Sequence, residues 1–195
     1  MWDRGRPLAR AEMNRADRDA KSLSLLCENL RIAMTRGQPS SFTIRKAQAE
    51  DARGILDCLE TAFEPYRTSY TPAGFRDTVL TPETIHTRLA TMTAFVATDG
   101  SGRVIGTVAG GTVDRSEGHL RGMAVLPDWQ GRGVAEQLLT TVEGHLRSTG
   151  CSRVTLDTTE PLQRAAGFYR KHGYRSSGKV GDFFGMPLFE YVKEL

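Results

Sequence analysis

The stretch Met123-Ala124-Val125-Leu126-Pro127-Asp128-Trp129-Gln130-Gly131-Arg132-Gly133-Val134-Ala135 decides how this chain is read. An apolar run ends at a proline and a turn with two glycines follows. An amphipathic helix then opens, with Val134, Leu138, Val142 and Leu146 on one stripe and Gly150 placed to stop it. A strand that feeds a glycine turn at a helix start builds an anion site. The first N–H groups of the helix lack intrahelical partners, and the helix dipole favours negative charge there. Gly131 and Gly133 admit an anion close to bare backbone, and Arg132 adds a fixed positive charge. Taken alone, the two glycines also read as the bend of an ordinary strand–turn–helix connection. No Gly-Lys-Ser/Thr occurs, which excludes a Walker-type loop. No Gly-x-Gly-x-x-Gly follows the first strand, so the dinucleotide fingerprint is missing too.

Outward from this segment, strands and helices alternate. Phe42–Lys46 reads as a strand, and Ala49–Phe63 as a helix with Ile55, Leu56, Leu59 and Phe63 on one side. Glu64–Leu80 reads as a long connection containing two prolines. Thr81 as N-cap and Pro82 at the first helical position start a helix that runs to about Met92. Ala94–Ala97 and Val104–Val113 read as strands joined by the hairpin signal Asp99-Gly100-Ser101-Gly102. Gly118–Leu126 is a strand, Gly133–Ser148 a helix, Arg153–Asp157 a strand and Leu162–His172 a helix. Tyr174–Ser177 and Pro187–Val192 are the last strands. This order predicts an α/β fold, a mixed sheet with helices on its faces.

The chain has 195 residues, enough for one domain with an appendage. Its 39% hydrophobic and 25% charged residues are those of a globular protein, which excludes collagen-like and wholly disordered classes. No apolar run approaches the roughly 20 residues a bilayer span needs, so no membrane partner is expected. Residues 1–41 hold eight Lys/Arg against five Asp/Glu, whereas residues 42–195 hold 18 of each. The net charge thus sits in a basic N-terminal extension, and the main domain carries no charge signal for nucleic acid. In that extension, Lys21–Met34 has helical spacing through Leu23, Leu26 and Leu30, and Gly37-Gln38-Pro39-Ser40-Ser41 reads as a linker. The extension reads as a solvated tail, as a helix contributing to a homodimer contact, or as length preceding a translation start at Met34. Cys27, Cys58 and Cys151 are odd in number and widely spaced, which suits reduced thiols in the cytoplasm. The first residues lack the apolar core of a secretory signal.

Two motifs carry a resemblance. Gln130-Gly131-Arg132-Gly133-Val134-Ala135 is similar to the Q/R-x-x-G-x-G/A signature of the GNAT superfamily of acetyl-CoA-dependent N-acetyltransferases. The preceding Met-Ala-Val-Leu-Pro resembles the end of that family's fourth strand. Ala165-Ala166-Gly167-Phe168-Tyr169-Arg170-Lys171-His172-Gly173-Tyr174 resembles its A-x-x-F/L-Y-x-K-x-G-F/Y segment. Order and separation also agree, and the resemblance covers residues 42–195. It implies the GNAT fold, with about seven strands and four helices and with the fourth and fifth strands splayed. It implies a transfer of acetyl from acetyl-CoA to a primary amine by direct attack, with acetyl-CoA as co-substrate and no metal. The amides of Gln130, Gly131, Arg132, Gly133, Val134 and Ala135 would then bind the coenzyme A pyrophosphate. The backbone of Met123, Ala124 and Val125 would line the pantetheine, with the Val125 N–H polarising the thioester carbonyl. Tyr169 would be the general acid that protonates the departing thiolate. Either a catalytic domain or a non-catalytic acetyl-CoA sensor or scaffold fits these motifs; the sensor has no need of the Tyr169 hydroxyl.

The acceptor side is less defined. Strand alternation places His119, Arg121, Met123 and Val125 on one face. His119 lies near where some family members keep a glutamate base, and its ordinary pKa of about 6.5 suits that task. Glu117 and Asp157 are the other base candidates, and all three also read as polar residues at strand ends. The family often has an asparagine at the position of Leu162; either Gln163 replaces that contact or it is lost. In the Glu64–Leu80 connection, Tyr66 and Tyr70 read as an apolar wall of an acceptor pocket, and Arg67 or Arg76 as a carboxylate partner. The same aromatics also suit a surface loop anchored to the core. The acceptor is expected to be a small-molecule or peptide amine.

Overall fold

The computed structural model describes residues 41–195. The expected helix over Lys21–Met34, the linker from Gly37 and the reading of Met34 as a start lie outside the described residues. From Thr43 the elements are β1 (Thr43–Lys46), α1 (Ala52–Phe63), α2 (Pro72–Val79), α3 (Pro82–Thr91), β2 (Thr93–Thr98), β3 (Val104–Thr112) and β4 (Glu117–Val125). They continue with α4 (Val134–Ser148), β5 (Arg153–Thr159), α5 (Gln163–Lys171), β6 (Arg175–Phe183) and β7 (Met186–Glu194). Among the described residues no helix is long and apolar enough to cross a membrane.

The seven strands form one sheet in the order β1-β2-β3-β4-β5-β7-β6. Only β4 and β5 run parallel; the other neighbours are antiparallel. Helix α4 covers one face with Val134, Leu138, Val142 and Leu146, each almost fully buried. Burial of each such side chain contributes about 1.5–3 kcal/mol. The helix sits close because the sheet offers glycines beneath it. A Cβ at Gly110 would lie 2.5 Å from Val142, and one at Gly118 2.7 Å from Leu146. Helices α1 and α3 cover the other face, where Leu59 and Ile85 are buried. Buried Glu143 of α4 accepts from the Tyr174 hydroxyl at 2.8 Å and pairs with Lys193 at 2.7 Å, so its charge is compensated.

Two features of β4 position the site. Its pairing with β5 runs from Glu117↔Arg153 to Leu120↔Leu156 and stops. Beyond that point β4 continues along β3 to Val125, while β5 continues along β7 to Thr159. The two strands therefore splay apart, as the resemblance implies. Second, Arg121 faces Ala109 and Ala124 faces Thr107, so β4 carries one residue more than β3 over this interval. Gly122, at φ 65°, supplies the left-handed backbone that this bulge requires. The bulge corrects the expected alternation. His119 pairs with Gly111, whose missing side chain would face Met92, whereas Val125 pairs with Gly106, which faces Leu138 and Val134. Val125 thus lies on the α4 face and His119 on the opposite one.

The stretch expected as a long connection is more ordered than that. Glu64–Ser69 is a 3-10 turn, and α2 follows with the Thr71 hydroxyl accepting from Gly74 N–H at 3.2 Å and Pro72 at its first position. This makes five α-helices among the described residues, one more than expected. The last hairpin is also longer, since β6 runs through Gly178 and Gly181.

Candidate active site

A cleft of about 730 Å³ opens where β4 and β5 separate. The ends of these strands form its floor, the start of α4 and one side of α5 form one wall, and Tyr66, Tyr70 and Arg88 stand at the other end.

The glycine turn follows a 3-10 turn at Pro127–Trp129. Gln130 closes that turn, its N–H donating to the Pro127 carbonyl at 3.2 Å. That Gln130 N–H, expected to meet a phosphate, is thus engaged within the turn. Its side chain acts instead as a brace. Nε2 donates to the Val125 carbonyl at 3.0 Å, and Oε1 accepts from Arg164 of α5 at 2.8 Å. Gly131 (φ 75°) and Gly133 (φ 82°) hold left-handed backbone, and a Cβ at either would meet nothing within 4 Å. Gly133 is the N-cap of α4 and no side chain caps the helix. The first closed bond is from Gln137 N–H to the Gly133 carbonyl at 3.0 Å, which leaves the N–H groups of Val134, Ala135 and Glu136 directed out of the helix end. Arg132 is not on the cleft wall; its guanidinium lies 5.3 Å over the Trp129 ring.

Met123, Ala124 and Val125 line the floor. Leu126 N–H donates to the Ile105 carbonyl at 2.9 Å, so ladder alternation turns the N–H and C=O of Val125 the other way, into the gap left by β5. That carbonyl is the one held by Gln130.

Tyr169 is buried on α5, with Phe168 and Tyr174 each 5.5 Å from its ring centre in edge-on contacts. Its hydroxyl has no hydrogen-bond partner among the described residues, yet no fully buried side-chain oxygen there lacks one. The oxygen is therefore open to the cleft that Tyr169 lines. Burial raises the Tyr169 pKa above the ordinary tyrosine value, which keeps the proton on oxygen at neutral pH.

His119 Nδ1 is 3.0 Å from the Thr155 hydroxyl, and Nε2 is 3.5 Å from Asp157 Oδ2. Burial lowers the His119 pKa against the opposing charge of Asp157, and burial raises that of Asp157. A neutral imidazole on a cleft wall can accept a proton. Glu117 is drawn away from the cleft: Arg153 holds its carboxylate, with Nε at 2.6 Å, and it reaches His119 only through Thr155 at 3.3 Å. Of the residues expected at an acceptor pocket, Tyr66 and Tyr70 both line the cleft, and the Tyr70 hydroxyl lies 2.6 Å from Thr159 Oγ1. Arg67 does not line it. Glu64 holds that guanidinium at 2.7 Å, and it lies 4.1 Å over the Phe75 ring. Arg76 is likewise off the cleft wall. Leu162 lines the cleft, but Gln163 folds back to donate to the Glu160 carbonyl at 2.8 Å, so it does not replace the missing asparagine. Sequence reasoning missed Arg88 and Arg164 and gave no role to Asp77; the three line the cleft from three separate helices.

The family model for the Acetyltransferase (GNAT) family matches residues 55–174. Among solved structures, the chain is similar to a GNAT-family acetyltransferase from Staphylococcus aureus at 15% identity and TM-score 0.66, covering 80% of this chain and 99% of that one. It is similar to a PaiA N-acetyltransferase from Thermoplasma acidophilum in complex with coenzyme A at 18% identity and TM-score 0.64, covering 80% and 99%. A GNAT-family acetyltransferase from Elizabethkingia anophelis with acetyl-CoA bound matches at 17% identity and TM-score 0.56, covering 79% and 98%. At such identities these likenesses establish the fold. The family match spans more than half of the sequence and includes both the glycine turn and Tyr169, and on that match this chain belongs to the GNAT acetyltransferase family.

Proposed function

We propose that residues 42–195 form an acetyl-CoA-dependent N-acetyltransferase domain preceded by a basic extension over residues 1–41. The observation that carries this reading is a single cleft joining the uncapped glycine start of α4, the open edge of β4 and the Tyr169 hydroxyl. The start of α4 fits a pyrophosphate, since the space in front of Gly131 and Gly133 is open and the helix N–H groups point outward. The splayed edge of β4 fits an extended, amide-bearing arm. Acetyl-CoA would supply the activated acyl group. The Val125 N–H would stabilise the charge developing on the carbonyl oxygen, an interaction worth roughly 2.7–4 kcal/mol when preorganised. Tyr169 would give its proton to the departing sulfur, and the His119–Asp157 pair would receive the proton of the attacking amine. The buried free thiols of Cys58 and Cys151 support a cytoplasmic setting.

Acetyl-CoA is expected to stabilise the protein. At about 100 times its dissociation constant it adds about 2.7 kcal/mol, or roughly 5–10 °C in a melt of a domain this size. Thiol release then reports transfer to amines. Absence of any shift in a folded sample overturns the reading. A shift without transfer to any amine favours an acetyl-CoA sensor.

A further inference from the structure

The acceptor end of the cleft holds a guanidinium with no bonded partner among the described residues. Arg88 of α3 lies against the β4 bulge, where a Cβ on Gly122 would be 3.2 Å from its NH1. The glycine that permits the bulge thus also makes room for the guanidinium. The Arg88 guanidinium forms no hydrogen bond or ion pair with any described residue, and no fully buried side-chain nitrogen among them lacks a partner. Its N–H groups therefore open into the cleft that it lines. Next to it, Arg121 is paired with Asp77 at 3.2 Å, and both also line the cleft. Asp77 thus stands between two guanidiniums and is bonded to only one of them. Burial and the neighbouring Arg121 bring the Arg88 pKa down to about 10, opposed by Asp77, so the group stays charged at neutral pH.

A half-buried guanidinium with vacant donors is costly unless an anion meets it, and its planar fork matches a carboxylate. The charge pattern along β4 continues this logic. Arg121 shares the face of His119, whose Asp157 partner offers a carboxylate to an incoming ammonium. From the bulge to Val125 the strand advances three residues, at most about 10 Å, which limits an acceptor held at both places to a small molecule.

We propose that Arg88, seated on the Gly122 bulge, binds a carboxylate of the acceptor, and that the acceptor is a small amino acid. This rests on the acetyltransferase reading above. It replaces Arg67 and Arg76 as carboxylate partners, since neither reaches the cleft.

The test compares free α-, β- and γ-amino acids with their carboxamides and with simple diamines, read by thiol release from acetyl-CoA. Wild type is expected to favour a free amino acid over its carboxamide by at least tenfold in kcat/KM. Arg88→Gln is expected to erase that preference through KM, and Arg88→Lys to keep part of it. Acetyl-CoA affinity and melting temperature, measured without acceptor, should stay near wild type in both. The inference is overturned if carboxamides or diamines are used as well as the free acids, or if Arg88→Gln loses equally on both members of a pair. It is also overturned if acetyl-CoA binds but no amino acid is acetylated. Failure of acetyl-CoA to bind the folded protein is a different result: it removes the acetyltransferase reading, and this inference with it.

Discussion

Tyr169 is neighboured by Phe168 in sequence and by Tyr174 in space, and its ring is as buried as a core residue. What separates it from a core aromatic is the hydroxyl, which faces the cleft with no partner among the described residues. A phenol whose pKa is raised by burial serves as a proton donor and not as a base. Tyr169→Phe keeps the ring and its packing, so acetyl-CoA affinity should remain near wild type. Turnover should fall by roughly 10²–10⁴-fold, the range for losing a positioned acid. Because the proton is needed in the transition state, kcat and kcat/KM should fall together in steady-state measurements. Unchanged turnover would make Tyr169 a packing residue only. This residue was legible in the sequence because its motif is local. Arg88 was not, because nothing near it in α3 marks it. Its meaning comes from Gly122 on β4, which only the folded chain brings beside it.

At the scale of elements, the start of α4 and the bulge of β4 divide the cleft between them. In the glycine turn the backbone, not Arg132, faces the open space. Gly131→Asp puts a carboxylate in front of the helix start. Asp tolerates a left-handed backbone better than most residues and suits a helix N-terminus, so the fold should be little disturbed. The same charge competes with a phosphate. Calorimetry should show acetyl-CoA binding weakened at least tenfold, with a melting temperature within a few degrees of wild type. Arg132→Ala should weaken it only modestly. Wild-type affinity in Gly131→Asp would mean that the phosphates bind elsewhere. Elements themselves were mostly legible. Thr81-Pro82 marked the start of α3, and the structure uses the same Thr-Pro pair at Thr71-Pro72 to start α2. That second signal was readable, but the eight residues behind it, Gly74 among them, are short for a helix read from periodicity.

For the whole molecule, the elements from Thr43 to Glu194 complete one seven-stranded sheet with its covering helices. Deleting residues 1–33 should therefore leave a folded domain that binds acetyl-CoA, as judged by circular dichroism and by a melt with and without ligand. Insoluble expression, or loss of the ligand-induced shift, would assign the extension a structural role. The order of elements apart from α2, the glycine turn, the hairpin at Asp99–Gly102 and the Tyr169 segment were all determined by the sequence. Each depends on periodicity, capping or backbone angles within a few residues. The splay of β4 from β5 was expected only through the family resemblance, and the side to which Val125 turns and the convergence of Arg88 with Arg121 were decided by the tertiary structure alone. A strand's faces are set by its partner's register, and one extra residue at Gly122 reverses every side chain beyond it. The sequence shows that glycine, but the strand against which it bulges comes from another part of the chain.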